Sequence, residues 1–175
     1  MYAKNGDNIA DVTYGRGVFW KKIDTTKYKL VKSDIKTGIC LTKLPYDNES
    51  KDMVVLDPPY AHNSTVSIKP SLAGQYNLYS VCGRNEIIKL YSDGILEAHR
   101  VLKNKAILVV KCQDEIMSGK QWWNHIEIMQ FAFKNGFIGE DLLILVQKST
   151  PTMRHNYQLH ARKNHSYFIV LRKMI

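Results

Sequence analysis

Residues 57 to 60 read Asp-Pro-Pro-Tyr and close the apolar run MVVL at 53–56. Two consecutive prolines fix φ and lack backbone donors, so their carbonyls project as rigid acceptors. Asp57 adds a charged acceptor, and Tyr60 adds a flat aromatic face. Together they suit a planar heterocycle bearing an amine: two acceptors take its N–H protons while the tyrosine ring stacks. Four specified residues at average frequencies occur in roughly one window in 10^5, so chance explains this tetrapeptide poorly.

A second group of reactive character is DVTYGRG at 11–17. Gly15 and Gly17 have no Cβ and let a tight turn bring backbone close to a ligand. Such turns are common taken singly. Asp34, about 20 residues further on, closes another strand-like run, YKLVKSD at 28–34. An acid there accepts both hydroxyl protons of a ribose in nucleotide-binding sheets, and would equally serve as a helix cap.

These residues need elements to hold them. Apolar or β-branched runs at 8–14, 28–34, 52–57, 105–112, 141–148 and 166–173 predict strands. Ile87, Ile88, Tyr91, Ile95, Ala98 and Leu102 recur at helical spacing within 85–103, and 119–136 reads as a second helix closed by Gly136. Alternating strands and helices with continuous apolar strands predict an α/β fold with a mostly parallel sheet. Only a loop separates the last two strands, so they form an antiparallel C-terminal edge hairpin. Ligands of open α/β sheets lie beyond the carboxyl ends of strands, near the topological switch point. That rule selects Asp11 to Gly17, Asp34 and Asp57 to Tyr60.

Lys and Arg number 25 against 16 Asp and Glu, a formal charge of +9. Such a balance fits a polyanionic partner or simple solubility. The segment 154–165 concentrates Arg154, His155, His160, Arg162, Lys163 and His165 around Tyr157, the pattern of phosphate contact plus base stacking. The aperiodic stretch 61–85 is long for a connecting loop and reads as a flap offering Tyr76 and Tyr79. Lys111, Gln113 and Asp114 end a strand and would shape a base pocket, with a helix cap the competing role for Asp114. Trp122 and Trp123 read as packing residues. Cys40, Cys82 and Cys112 show no C-x-x-C spacing and the histidines no H-E-x-x-H, so reduced thiols and no metal are expected. The N-terminus lacks a signal-peptide pattern, and no run approaches the roughly 20 apolar residues of a membrane span. A single-domain cytoplasmic protein, residues 1–175, is expected.

The chain resembles the S-adenosylmethionine-dependent amino-group DNA methyltransferases, which act on adenine N6 or the exocyclic amine of cytosine. DVTYGRG is similar to their cofactor loop, D-x-F-x-G-x-G, with Thr13 where phenylalanine is usual. DPPY matches their catalytic motif; the leading Asp is more like the adenine branch, since cytosine enzymes more often carry Ser. The resemblance implies a single-domain Rossmann-like methyltransferase fold, with a mostly parallel seven-stranded sheet and no separate target-recognition domain. It implies S-adenosyl-L-methionine as cofactor, with Asp11, Thr13, Gly15 and Gly17 bordering its methionine end. Asp34 would meet the ribose, Leu44 of TKLPY (42–46) the adenine ring, and Asp57 the site between cofactor and substrate. Among the catalytic residues Asp57, Pro58, Pro59 and Tyr60, the Asp57 carboxylate and Pro58 carbonyl would accept the amine protons and Tyr60 would stack. The implied reaction is methylation of adenine N6 in DNA, the base being flipped out of the stack. Tyr76, Tyr79, Arg154, His155, Arg162, Lys163 and His165 would contact the nucleic acid. RNA, a protein glutamine amide (for which Asn more often opens the tetrapeptide) and a non-catalytic nucleic-acid-binding subunit stay open as alternatives. A minimal chain of this kind suits a phage or restriction-modification origin, and a homodimer or a specificity partner.

Overall fold

The computed structural model describes residues 2–58, 84–148, 159–161 and 163–174. In chain order its strands are β1 (Asn8–Asp11), β2 (Lys29–Lys32), β3 (Lys51–Leu56), β4 (Leu102–Cys112), β5 (Glu115–Met117), β6 (Lys120–Trp122), β7 (Phe137–Val146) and β8 (His165–Lys173). Two α-helices, α1 (Arg84–Val101) and α2 (Asn124–Lys134), accompany them. One six-stranded sheet has the order β2-β1-β3-β4-β8-β7, and β5 and β6 form a separate hairpin. The pairs β1–β2, β1–β3 and β3–β4 are parallel, whereas β8 runs antiparallel to both β4 and β7. The sheet is therefore mostly parallel with an antiparallel edge, and β8 inserts between β4 and β7.

The continuous apolar runs follow from burial on both faces. Val54, Leu56, Leu108 and Val110 point toward the helices and pack with Ile87, Tyr91, Ile95 and Ala98 of α1 and Ile128 and Ala132 of α2. Ile9, Met53, Val55, Ile107 and Val170 alternate to the other face, beneath Tyr2, Trp20, Tyr28 and Leu30. No helix among the described residues is long and apolar enough to cross a membrane.

Six strands of the sheet lie among the described residues. None forms between β2 and β3, where a 3-10 helix, Ile35–Thr37, and an isolated Cys40–Lys43 bridge occupy the chain. Side chains of α1 satisfy the backbone there in place of a neighbouring strand. The Leu44 amide donates to Glu97 Oε1 (2.7 Å), and Arg100 donates to the Leu44 and Tyr46 carbonyls (3.0 and 2.9 Å). The second helix begins at Asn124, not at 119, because Ser118 and Gly119 adopt φ of 51° and 72°. Two successive left-handed residues make a hairpin turn and stop a helix, so Lys120 pairs back on Met117. Finally, β1 and β2 stop at Asp11 and Lys32, short of the expected 14 and 34, and the residues beyond them form the rim.

Candidate active site

The parallel strands β1, β2, β3 and β4 end on one rim, and antiparallel β8 begins there. From β1 the chain moves outward to β2, then returns to β3 on the opposite side of β1. The switch point therefore lies between β1 and β3, where Asp11 ends one strand and Asp57 follows the other.

Asp11 is buried. Its Oδ1 accepts the Thr13 amide at 3.0 Å and its Oδ2 the Trp20 indole N–H at 2.7 Å. Burial, with the nearby Asp57 charge adding to it, pushes its pKa up to about 6. Thr13 Oγ1 accepts the Asp57 amide at 2.7 Å, so the loop after β1 holds the backbone of the tetrapeptide directly. A phenylalanine at position 13 offers no such acceptor.

The Asp57 side chain keeps 19% of its surface exposed and meets Lys111 Nζ at 3.0 and 3.3 Å. Burial raises its pKa, and the Lys111 ammonium opposes that rise. Lys111 Nζ also stands 5.5 Å over the Phe19 ring, which meets Phe168 edge-on at 5.4 Å. Pro58 is buried. The Tyr91 hydroxyl, from α1, lies 2.9 Å from the Lys111 carbonyl and 3.4 Å from the Pro58 carbonyl. Its single proton favours the nearer oxygen, which leaves acceptor capacity on Pro58.

Gly15 and Gly17 both take left-handed φ, 51° and 64°. A Cβ at Gly17 would fall 2.6 Å from the Tyr14 hydroxyl in a left-handed backbone, so any other residue there must displace the Tyr14 ring. The Gly15 amide donates to Asp34 Oδ2 at 3.0 Å, and Asp34 Oδ1 accepts the Lys36 amide at 2.9 Å. Asp34 thus caps the 3-10 helix and also touches the loop, with about two of its four lone-pair positions engaged. Leu44, expected beside an adenine ring, is buried in the helix-side core beneath α1 and does not line the rim.

Pro59, Tyr60, Tyr76, Tyr79, Arg154, His155 and Arg162 lie outside the described residues. Lys163 and His165 are held at the rim by Gln113, whose Nε2 donates to their carbonyls at 3.1 and 2.8 Å. Lys163 Nζ stands 5.9 Å over Trp123, and His165 Nε2 is 3.0 Å from the Tyr167 hydroxyl.

Lys111 and Asp114, both expected to shape a base pocket, have partners that no motif shows. Lys111 faces Asp57. Beside it, buried Asp114 lies 2.7 Å from His125 Nδ1 and accepts the His125 amide at 3.2 Å, while the His125 ring stacks on Tyr167 at 4.1 Å. Asp114 so satisfies a first-turn amide of α2 from the rim. Among the described residues no group of three or more His, Cys, Asp or Glu is placed to hold a metal ion.

No family model matches the chain, and no curated protein matches it in sequence. Solved structures do match. An S-adenosylmethionine-dependent methyltransferase of Methanosarcina mazei is similar over 99% of this chain and 95% of its own, with a TM-score of 0.59 at 14% identity. A Thermus thermophilus protein named as a DNA modification methylase matches 96% of the chain with a TM-score of 0.50 at 18% identity, and the chain spans 55% of its length. The same Thermus protein complexed with S-adenosyl-L-methionine matches 75% of the chain and 49% of its own length at 19% identity, again with a TM-score of 0.50. The cyclase SpnF is also similar, with a TM-score of 0.54 at 14% identity over 98% of the chain and 77% of its own length. The chain therefore has the fold of the S-adenosylmethionine-dependent methyltransferases, a fold that does not by itself specify a reaction.

Proposed function

We propose that this chain, as one catalytic domain over 1–175, binds S-adenosyl-L-methionine and methylates the N6 amine of adenine in DNA. The observation that carries the reading is the Thr13–Asp57 hydrogen bond at the switch point, which joins a glycine-turn loop to the DPPY segment. The residues present fit the cofactor. Gly15 lies exposed on the loop and Gly17 lets the chain turn beneath Tyr14, Asp34 retains acceptor capacity for ribose hydroxyls, and the carboxylates of Asp11 and Asp57 favour a nearby cationic group. When bound, the cofactor supplies a methyl group on a sulfonium, already a good leaving group.

The chain's own residues must make a poor nucleophile competent, because the lone pair of an aryl amine is delocalised into its ring. Asp57 accepts one N–H and the Pro58 carbonyl the other, which favours a pyramidal amine and stabilises the positive charge that develops on nitrogen. Lys111 favours the ionised form of Asp57 against its burial, then shares the carboxylate with the incoming amine. Thr13 and Tyr91 fix the backbone around both acceptors, so that much of the remaining gain comes from positioning. Tyr60 stacks on the base, and Lys163 and His165 contribute to nucleic-acid contact.

Labelled-methyl transfer to DNA, RNA and protein, followed by nucleoside analysis, tests the reading, with calorimetric titration of S-adenosylmethionine alongside. N6-methyladenine from DNA is expected, and Asp57→Ala should lower the rate by about 100-fold or more. Absence of S-adenosylmethionine binding, with no transfer to any of the three substrates, would leave only the binding-subunit reading. Transfer undiminished in Asp57→Ala would remove the assigned chemistry.

A further inference from the structure

Ten-residue β7 is the outermost strand of the sheet, and no described residue pairs with its outer edge. Its sequence from Leu142 to Val146, LLILV, is the kind found in strands buried on both faces. Yet Ile138, Leu142, Leu143, Ile144, Leu145 and Val146 are each between 41% and 63% exposed. Phe133 of α2, 44% exposed, leans on the start of the strand, its ring 3.4 Å from the position of a Cβ on Gly139. An apolar edge with open backbone groups is a template for another strand, and on β7 the devices that blunt such an edge, a bulge and charges, are confined to Gly139–Asp141, which leaves Leu142–Val146 open.

We propose that β7 is the seam of a homodimer in which two copies join their sheets edge to edge, antiparallel, about Ile144. The charge order along the strand selects a second copy. Glu140 and Asp141 stand at one end, Lys148 stands just past the other, and the residues between are apolar apart from Gln147. A two-fold axis through the seam reverses the partner strand while keeping each face, so opposed residues must share a face. Centred on Ile144, this register sets Ile144 against itself, Leu143 against Leu145, Leu142 against Val146 and Asp141 against Gln147. At the end of that register, next to the bulge at Gly139–Asp141, Lys148 of each copy comes toward the other's Glu140, whose carboxylate also bonds Arg172, and opposite charges there stabilise an antiparallel pair. A parallel pairing would align like charges. The apolar side chains expose roughly 500 Å² per copy, and edge pairing covers part of that, which sets the seam at the small end of specific associations. The opposite edge does not compete, because the two outward-facing residues at its ends are Lys29 and Lys32, both exposed.

Multi-angle light scattering of the full chain over a concentration series up to roughly 100 μM tests this seam. The expected mass is twice 20.2 kDa. Ile144→Lys sets two ammonium groups against each other and should return the monomer mass with unchanged circular dichroism, since that side chain is already largely in solvent. Ile144→Cys tests the register without added charge: under oxidising conditions it should cross-link the dimer, whereas Leu142→Cys should not. A monomer at every concentration would overturn the proposal, as would a dimer that persists in Ile144→Lys or cross-links at 142 and not at 144. Methyl transfer has no part in this readout, so the seam and the catalytic reading stand or fall separately.

Discussion

Two acids that are distant in sequence meet at the switch point, and Lys111 is the cation paired with Asp57. Removing that ammonium leaves the burial of Asp57 uncompensated, so its pKa rises further and its ionised form is lost at a higher pH on acidification. Lys111→Met should therefore move the acidic limb of the methyl-transfer pH profile upward. An unmoved limb with a lower rate would mean that Lys111 acts on substrate and not on Asp57. Asp11 behaves in the opposite sense to a salt-bridged acid. Its pKa is raised from 3.8 to about 6, so between those values the unfolded chain ionises while the folded chain keeps its proton. Stability contributed by the protonated group is complete below 3.8 and is lost as pH rises through 6, a difference of about 3 kcal/mol. Asp11→Asn should flatten that slope, which urea denaturation at several pH values measures directly.

Helix α1 does more than cover the sheet. Its apolar stripe was legible at helical spacing, but the hydroxyl of Tyr91 among those apolar positions had no assigned partner. Buried, that hydroxyl bonds the Lys111 carbonyl and reaches the Pro58 carbonyl. Tyr91→Phe keeps the ring and should cost about 1 kcal/mol in denaturant unfolding, with the rate falling more than the cofactor affinity. The loop after β1 is the complementary case. Gly17→Ala forces a Cβ onto the Tyr14 hydroxyl in a left-handed backbone and should cost about 1–2 kcal/mol, with S-adenosylmethionine affinity falling in calorimetry. Residues 120–122 of β6 fall within the helix expected over 119–136; the Ser118–Gly119 turn overrides that expectation through backbone conformation.

A chain carrying +9 that binds a polyanion should show it in salt dependence. Oligonucleotide affinity should fall log-linearly with salt, with a slope set by the number of phosphates contacted, while affinity for S-adenosylmethionine changes far less. A flat oligonucleotide response would assign the charge to solubility. The fold distributes its surfaces unevenly: α1 and α2 cover one face, the N-terminal segment and short 3-10 turns cover the other, and β7 is left with apolar side chains open on both sides. That asymmetry is what makes the β7 edge a surface for association.

Strand positions, the parallel sheet, its antiparallel end and the placement of Asp11, Asp34 and Asp57 at strand ends were legible along the chain. Each depends on local periodicity or on a short motif, which neighbouring residues alone establish. The pairing of Lys111 with Asp57, the clamp from Thr13 and the withdrawal of Leu44 into the core were not legible. They depend on which strands become neighbours and on which side chain satisfies a stranded backbone group. Those are contacts between residues tens of positions apart, and packing of the whole sheet against α1 is what decides them.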